Sequence, residues 1–359
     1  MKRPSGFGRP LLGIVLAVFL CLAGWGTALH QNKRDMEEFA KIAAHMKTVC
    51  VGRFLVDVPR GAEVSLSLEM MDGFEVATRE ESEAAFRERV HVREADIRSR
   101  GPATDGGGGM VAASELDIPG LIGRTLVYGR DRGYLMRGER RIDSEFVSIE
   151  AHAHRGGQSF LLSIQVAREA DAGSATALLA RLQSRGADEV PGAAGFCTSR
   201  ALFAEPMPPH KTEHIVMHVG LAGHPDIRMT FASLPGGGDD PGLLARTAAA
   251  DAGTGRDELL RVTTLRTGRR TIHDMAGEEV LERVREANSA TTFGFMWEAR
   301  GVDNDPLRPF LSFELQAGEG ASSGQPPAGT SLHEETILAL WDAISSSIRP
   351  RPNQPPRRP

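Results

Sequence analysis

Five histidines fall in two clusters whose spacing could do chemistry. His210, His214 and His218 recur at every fourth residue. On a helix that spacing would line one face and could hold a zinc ion. His152 and His154 are two apart, so on a strand they share a face and could form a two-histidine site. The local patterns weigh against both. Ile215, Met217 and Val219 alternate with His214, Val216 and His218, which is a strand rhythm. His210 follows Pro206-Met-Pro-Pro209 in a turn, so helical ligand geometry is lost. His152 and His154 have no obvious third ligand and read as solvated strand residues. No metal or other cofactor is expected.

Other reaction signatures are missing. There is no Gly-x-Ser-x-Gly elbow for a serine hydrolase and no Gly-x-Gly-x-x-Gly dinucleotide loop. His333-Glu334-Glu335 does not complete a His-Glu-x-x-His zinc motif. Gly106 to Gly109 are not followed by the Lys-Ser/Thr of a phosphate loop. Glu278 and Glu279, at a turn, read as solvent-facing acids. A binding protein is favoured over an enzyme. The competing reading is an exported metal- or acid/base-dependent hydrolase that uses His152 and His154, or His210, His214 and His218.

The positions are set by the elements around them, and by where the chain resides. Net charge is −5, and the three basic residues Lys2, Arg3 and Arg9 precede any acid, so the remainder is more acidic still. Such a surface is a poor match for a phosphate backbone, and nucleic acid is not the expected partner. Leu11 to Leu29 carries no charge. Basic residues before an apolar run indicate export. The run is long for a signal core and just long enough to span a bilayer. Residues 1–29 are therefore a signal peptide, with Gly26-Thr27-Ala28 as a cleavage site, or an inner-membrane anchor formed by residues 11–29. Either way the remainder is periplasmic in a Gram-negative cell. Cys21 follows Leu20, which is not the small residue that a lipidation site requires. Only Cys50 and Cys197 then remain among the three cysteines. An oxidising compartment favours pairing them; the alternative is two separately buried small hydrophobes.

The stretch Cys50-Val-Gly-Arg-Phe-Leu-Val-Asp-Val-Pro59 recurs, degraded, as Cys197-Thr-Ser-Arg-Ala-Leu-Phe-Ala-Glu-Pro206. Cysteine, arginine, leucine and proline keep their offsets, which implies a duplicated chain. After Pro59-Arg60-Gly61, Val64, Leu66 and Leu68 alternate as a strand, predicting a hairpin with the strand before. Thr78 with Glu81 predicts the start of a helix bearing Phe86, Val90 and Ile97. Strand-like runs follow at Thr125 to Tyr128, Tyr134 to Met136, Val147 to Ala153 and Phe160 to Val166, then a closing helix at Ala175 to Leu182. The second copy repeats the scheme, with Ala276-Gly277 standing where Pro119-Gly120 stood and Glu334 to Ile348 closing as a helix. Runs of antiparallel strands with helices set apart predict an α+β fold of two tandem, similar domains, each a mainly antiparallel sheet with helices packed on it. The expected boundaries are 46–188 and 195–348, with 349–359 a disordered, proline-rich tail.

Four longer motifs carry a family resemblance. They are Thr48-Val-Cys-Val-Gly-Arg-Phe-Leu-Val-Asp-Val-Pro59, Asp117-Ile-Pro-Gly-Leu-Ile-Gly-Arg-Thr-Leu-Val-Tyr-Gly-Arg130, Ser144-Glu-Phe-Val-Ser-Ile-Glu-Ala-His-Ala-His154 and Gly277-Glu-Glu-Val-Leu-Glu-Arg283. Over residues 46–348 the chain resembles the two-domain immunity proteins that neutralise lipase effectors of type VI secretion, the class-four group. The resemblance implies a periplasmic inhibitor, made by the toxin-producing cell, that binds a cognate secreted phospholipase and blocks it. It carries no contact residue across, so loops at Gly101 to Met110, Pro235 to Pro241, Gly301 to Pro309 and Gly318 to Thr330 are the expected contacts on general grounds alone.

Overall fold

The computed structural model describes residues 33–102, 108–207, 212–238, 241–320 and 326–352. Residues 1–29, the expected targeting segment, and His210 lie outside them. Among the described residues no helix is long and apolar enough to cross a membrane.

The Cys50 stretch folds as a hairpin. Strand β1 (Met46–Val51) pairs antiparallel with β2 (Phe54–Pro59). Gly52 makes the tight turn at φ +55°, and a Cβ there would come within 2.9 Å of the Ile215 side chain. Only glycine meets both conditions without strain. The Pro59-Arg60-Gly61 turn does not close a hairpin as expected. It carries the chain out of this small sheet into β3 (Glu63–Met71), whose partners lie in a larger sheet. Alternation identified the strands, but two successive strands can belong to different layers, and pattern alone does not separate these cases.

In the first half, β4 (Phe74–Glu80) leads to helix α2 (Glu83–Ser99), after the short helical stretch α1 whose described part is 33–43. Thr78 lies inside β4, and the cap is Ser82, whose Oγ accepts from the Ala85 amide at 3.3 Å. The helix buries Phe86, Val90 and Ile97 as the sequence predicts. Strands β5 (Met110–Glu115), β6 (Ile122–Arg137), β7 (Arg140–Arg155) and β8 (Gln158–Ala167) follow, then α3 (Ala172–Leu179) and β9 (Leu182–Ser184). The two runs separated by Gly129 to Gly133 are one strand, β6, bulged between Tyr128 and Asp131.

The second half repeats this order. Hairpin β10 (Gly195–Cys197) and β11 (Ala201–Ala204) precedes β12 (Glu213–Leu221) and β13 (His224–Leu234). Helices α4 (Leu243–Gly253) and α5 (Arg256–Leu259) lead to β14 (Val262–Ile272), β15 (Met275–Arg285), β16 (Thr291–Ala299) and β17 (Phe310–Ala317). Helix α6 (Glu334–Ser345) and β18 (Arg349–Pro350) close it. Gly123 and Gly277, near the starts of β6 and β15, both press against a neighbouring backbone, where a Cβ would meet His152 O or Glu298 O. Gly277 therefore matches Gly123, not Gly120.

Each half was expected to hold its own sheet. The two half-sheets instead join edge to edge through β3 and β12, giving 12 antiparallel strands in the order β14-β15-β16-β17-β13-β12-β3-β4-β8-β7-β6-β5. Read outward from the junction, the order is the same in both directions. Joining satisfies hydrogen-bonding edges that each half would otherwise expose. One apolar core, from Val51 to Ile348, runs beneath both halves. On it α6 sets Trp341 against Phe313, stacked at 5.0 Å, and edge-on to Phe295 at 5.7 Å.

Closing strands are exchanged between the halves. Strand β9 pairs with β11 of the second hairpin, and β18 pairs with β2 of the first. An arginine follows each. Arg185 donates to Thr198 O at 2.8 Å and Cys50 O at 3.3 Å. Arg351 donates to Gly195 O at 2.7 Å, Pro191 O at 2.8 Å and Ala193 O at 2.6 Å. The expectation of a disordered tail from residue 349 therefore fails at its start, because carbonyls left open by the 191–195 loop recruit Arg351. Between the hairpins, the Sγ atoms of Cys50 and Cys197 are 2.07 Å apart, with Cα atoms 6.0 Å apart. Gly52 and Cys197 exchange both backbone hydrogen bonds, each 2.9 Å.

Candidate binding face

The large sheet has two unlike faces. Alternation puts Met217, Phe231, Phe313 and Leu315 on the core side, all buried. The opposite side is read through the pairing register. Met296, Glu314, Thr230, His218 and Ser65 stand opposite one another in one row across β16, β17, β13, β12 and β3. Apart from Met296 these side chains are small or polar, as suits a water-facing sheet surface.

A helix covers each wing of this face. In the first half α2 is pinned by ions. Arg93 donates to Glu150 Oε1 at 2.6 Å and to the Tyr128 hydroxyl at 3.0 Å, and Tyr128 donates to Glu150 Oε1 at 2.6 Å. Arg89 donates to Glu81 Oε1 at 2.6 Å. Burial opposes ionisation of Glu150, but hydrogen bonds from His152, Arg93 and Tyr128 outweigh it and hold its carboxyl well below the usual carboxylate range. Burial and the neighbouring Glu150 push the Tyr128 hydroxyl up. In the second half α4 is pinned by Arg246, which donates to both Glu298 oxygens at 2.7 Å, and by Glu278, which accepts from the Leu244 amide at 2.9 Å.

Between the two helices the sheet is open. Its floor forms a hollow of about 870 Å³ over β3, β12, β13 and β17, lined by Ser65, His218, Arg228, Thr230, Glu314 and others. Hollows of about 340 Å³ beside α2 and about 230 Å³ beside α4 continue it toward each wing. The face thus crosses the junction and draws on both halves.

The sequence-predicted residues scatter through this arrangement. His152 lies beneath α2 and is 2% exposed, with Nε2 3.0 Å from Glu150 Oε2 and Nδ1 3.4 Å from Arg89. His154 stacks on Phe86 at 5.3 Å, with Nδ1 3.0 Å from Ser159 Oγ. They share a strand face as expected, but they are buried and not solvated, since α2 covers them. His214 and His218 both lie on β12, as the alternation predicts. Burial pushes the His214 imidazole down. His218 Nε2 is 3.0 Å from Ser67 Oγ on the open floor. Among the described residues no three His, Cys, Asp or Glu side chains gather as metal ligands. Glu279 is the clear error. It is 2% exposed, not solvent-facing, and pairs with Arg266 at 2.7 Å and with Arg270 while accepting from Trp341 Nε1 at 2.8 Å. An acid four residues past the start of a strand points inward or outward by parity alone, and the buried tryptophan that receives it is far along the chain. Of the loops expected to make contacts, residues 103–107, 239–240 and 321–325 lie outside the described residues. The sequence reading missed the open face altogether. Its signal was present as Ser65, Ser67, His218 and Thr230 at the polar positions of alternating strands.

Comparison with known proteins agrees with this architecture. Two family models match nearly end to end, the N-terminal domain of Tle cognate immunity protein 4 over residues 47–185 and its C-terminal domain over residues 189–353. The chain belongs to this family. Among curated proteins none matches the sequence. Three solved structures share the fold of this Tle cognate immunity protein 4 relative. The apo structure of immunity protein TplEi of the T6SS of Pseudomonas aeruginosa is 24% identical with a TM-score of 0.69, covering 86% of this chain and 97% of its own. The same protein complexed with an "L" peptide gives 22% and 0.68, covering 86% and 99%. A crystal structure of a Tle4-Tli4 complex gives 23% and 0.71, covering 86% and 98%.

Proposed function

We propose that this protein is an immunity protein that binds a cognate lipase effector of type VI secretion and occludes it, protecting the cell that makes both. Membership of the immunity family supports this reading, and so does the name of the complex that shares its fold. The observation that carries it is the open hollow between α2 and α4. It sets the polar side chains of Ser65, His218, Thr230 and Glu314 among apolar lining residues, spans both halves, and is large enough to seat a protein element. The action is steric, without chemistry of its own. Against the hydrolase reading at His152 and His154 stands the closure of His152 under α2, where it is engaged with Glu150 and Arg89.

Self-protection requires near-complete occupancy at low concentration, so a nanomolar or tighter complex is expected, about −12 kcal/mol or beyond. Purified protein is to be mixed with the lipase encoded by the neighbouring gene, and phospholipid hydrolysis measured. Inhibition at one-to-one stoichiometry is expected. Undiminished hydrolysis at two-fold excess, with no complex on size exclusion, would remove the reading.

Two further parts of the proposal concern place and build. Residues 1–29 export the protein to the periplasm, as a cleaved signal or an inner-membrane anchor, and a reporter active only after export, fused behind residue 45, should give signal. Residues 46–188 and 195–348 are the two copies of a duplicated unit. Cys50 and Cys197 pair once exported, and thiol titration of unreduced, denatured protein should find neither free.

A further inference from the structure

Strands β6 and β7 run past the sheet. Strand β5 pairs with β6 only as far as Tyr128, and β8 pairs with β7 only from Val147 onward. Beyond them, Asp131 to Arg137 and Arg140 to Phe146 pair with each other alone. Among the described residues no third strand flanks this ribbon. Its counterpart in the second half, the β15–β16 hairpin, ends at the Arg285–Thr291 pair and has no such extension. The shared fold therefore does not require the ribbon. An isolated two-stranded ribbon is marginal in water, so its cost calls for a return elsewhere.

Its surface indicates what that return is. Tyr134 is 55% exposed and Met136 57%. Alternation places them on one flank, opposite Asp143 and Arg141, with the Arg141 guanidinium over the Tyr134 ring at 4.3 Å. Rigid aromatic and soft thioether side chains beside arginine are what protein interfaces concentrate. Charge points the same way. Over the whole ribbon the arginines Arg132, Arg137, Arg140 and Arg141 are balanced by Asp131, Glu139, Asp143 and Glu145, with Arg132 on Glu145 and Arg141 on Asp143, but the tip is basic, with Arg137 and Arg140 flanking the single acid Glu139 in a protein whose net charge is −5.

We infer that the β6–β7 ribbon is an arm that grips the effector protein. It does so through the Tyr134 and Met136 flank, with its tip arginines set against acidic side chains on the partner. This rests on the inhibitor reading above. An anionic membrane surface is the lesser fit. A membrane-inserting hairpin carries its apolar residues at the turn, whereas this turn is Arg137-Gly138-Glu139-Arg140 and the apolar residues lie along one flank.

The test compares three full-length proteins: wild type, Tyr134→Ser with Met136→Ser, and Arg137→Glu with Arg140→Glu. Each is titrated with the neighbouring-gene lipase by calorimetry. Wild type should bind tightly. The flank variant should bind at least about ten-fold more weakly through faster dissociation, with an unchanged melting temperature because neither side chain is in the core. The tip variant, which touches no core residue, should associate more slowly and with less salt dependence. Equal affinity of the flank variant and wild type would overturn the inference and leave the inhibitor reading standing. Failure of wild type itself to bind would remove both. Loss in the flank variant of co-sedimentation with phosphatidylglycerol vesicles, or of a wild-type dimer, without change in lipase affinity would assign the arm to a membrane or to a second copy and also overturn it.

Discussion

Arg53 is where the two halves are most strongly tied by charge. It sits in the β1–β2 turn of the first half and reaches two acids of the second. Its Nε and Nη2 donate to the Glu213 oxygens at 2.7 and 2.8 Å, and Nη1 donates to Glu205 Oε1 at 3.0 Å. The side chains of Arg53 and Glu213 are 5% and 3% exposed, while Glu205 at 20% can reach water. Burial opposes the guanidinium charge, but the attraction and hydrogen bonds of the two acids outweigh it and hold Arg53 above its ordinary value. Replacing Arg53 by Ala takes from buried Glu213 the guanidinium that donates to both of its oxygens. Breaking a buried pair from one side costs about 3–5 kcal/mol, a large share of the roughly 5–15 kcal/mol that stabilises a typical domain. With a urea slope of about 3 kcal/mol/M, the midpoint should fall by about 1–1.7 M.

Urea unfolding followed by tryptophan fluorescence measures this directly. The companion double variant, Arg53→Met with Glu213→Leu, removes both charges and should lie within about 2 kcal/mol of wild type. The pH dependence has a definite sign. In Arg53→Ala the cost of keeping the Glu213 carboxylate ionised in the fold is full at neutral pH and shrinks as pH falls toward the unfolded carboxylate pKa of about 4.3. The deficit should therefore be smaller at pH 5 than at pH 8. A loss under about 1 kcal/mol, or a double variant as unstable as the single one, would refute the reasoning.

Cys50→Ala with Cys197→Ala should lower stability by up to about 5 kcal/mol in the chain-entropy account, because the closed loop is long, and calorimetry would read it. Truncation after residue 348 should destabilise the fold by several kcal/mol (about 3 or more), since it removes β18 and the three carbonyl contacts of Arg351; a truncated protein with unchanged melting temperature would contradict this. Glu150 is ionised more readily in the folded chain than in the unfolded one. Its contribution is complete above the unfolded pKa of about 4.3 and is lost as pH falls below that, so Glu150→Gln should flatten this acid limb in a pH series of urea midpoints. Thr230→Arg, on the open floor, should leave the fold intact and weaken lipase inhibition by about ten-fold or more if the hollow receives the partner, as an enzyme inhibition curve would report.

Much of the fold was legible because a half-buried strand writes its own pattern. Ile215, Met217 and Val219 announced β12 by their alternation, and all three are buried. The repeated Cys-x-x-Arg stretch announced that the second half restates the first. Joining was not legible. Nothing local distinguishes an edge strand that ends a sheet from one, like β3, that meets its counterpart across the junction. The exchange of β9 and β18 was likewise hidden, because three or two residues of strand carry too little pattern to register. Buried charge was the other blind spot. Glu279 and Arg53 look like surface residues in sequence, and only the partners Trp341 and Glu213 explain their burial.

The concentration of bonds at the junction bears on how the open face can work. A surface that spans two halves matches a partner only if the halves keep their relation, and each degree of freedom lost on binding lowers affinity. Here the relation is fixed in three ways at one place. Strands β3 and β12 pair along most of their length, the closing strands of each half seat on the hairpin of the other, and Arg53 joins the first hairpin to Glu205 and Glu213. The sheet then presents one preformed hollow, and not two surfaces on a hinge. Loosening this junction without touching the face should therefore weaken binding as well as stability. At a temperature where Arg53→Ala remains folded, its complex with the lipase should still be weaker than that of wild type. Equal affinities under those conditions would mean that each half binds on its own and that the continuous sheet serves stability alone.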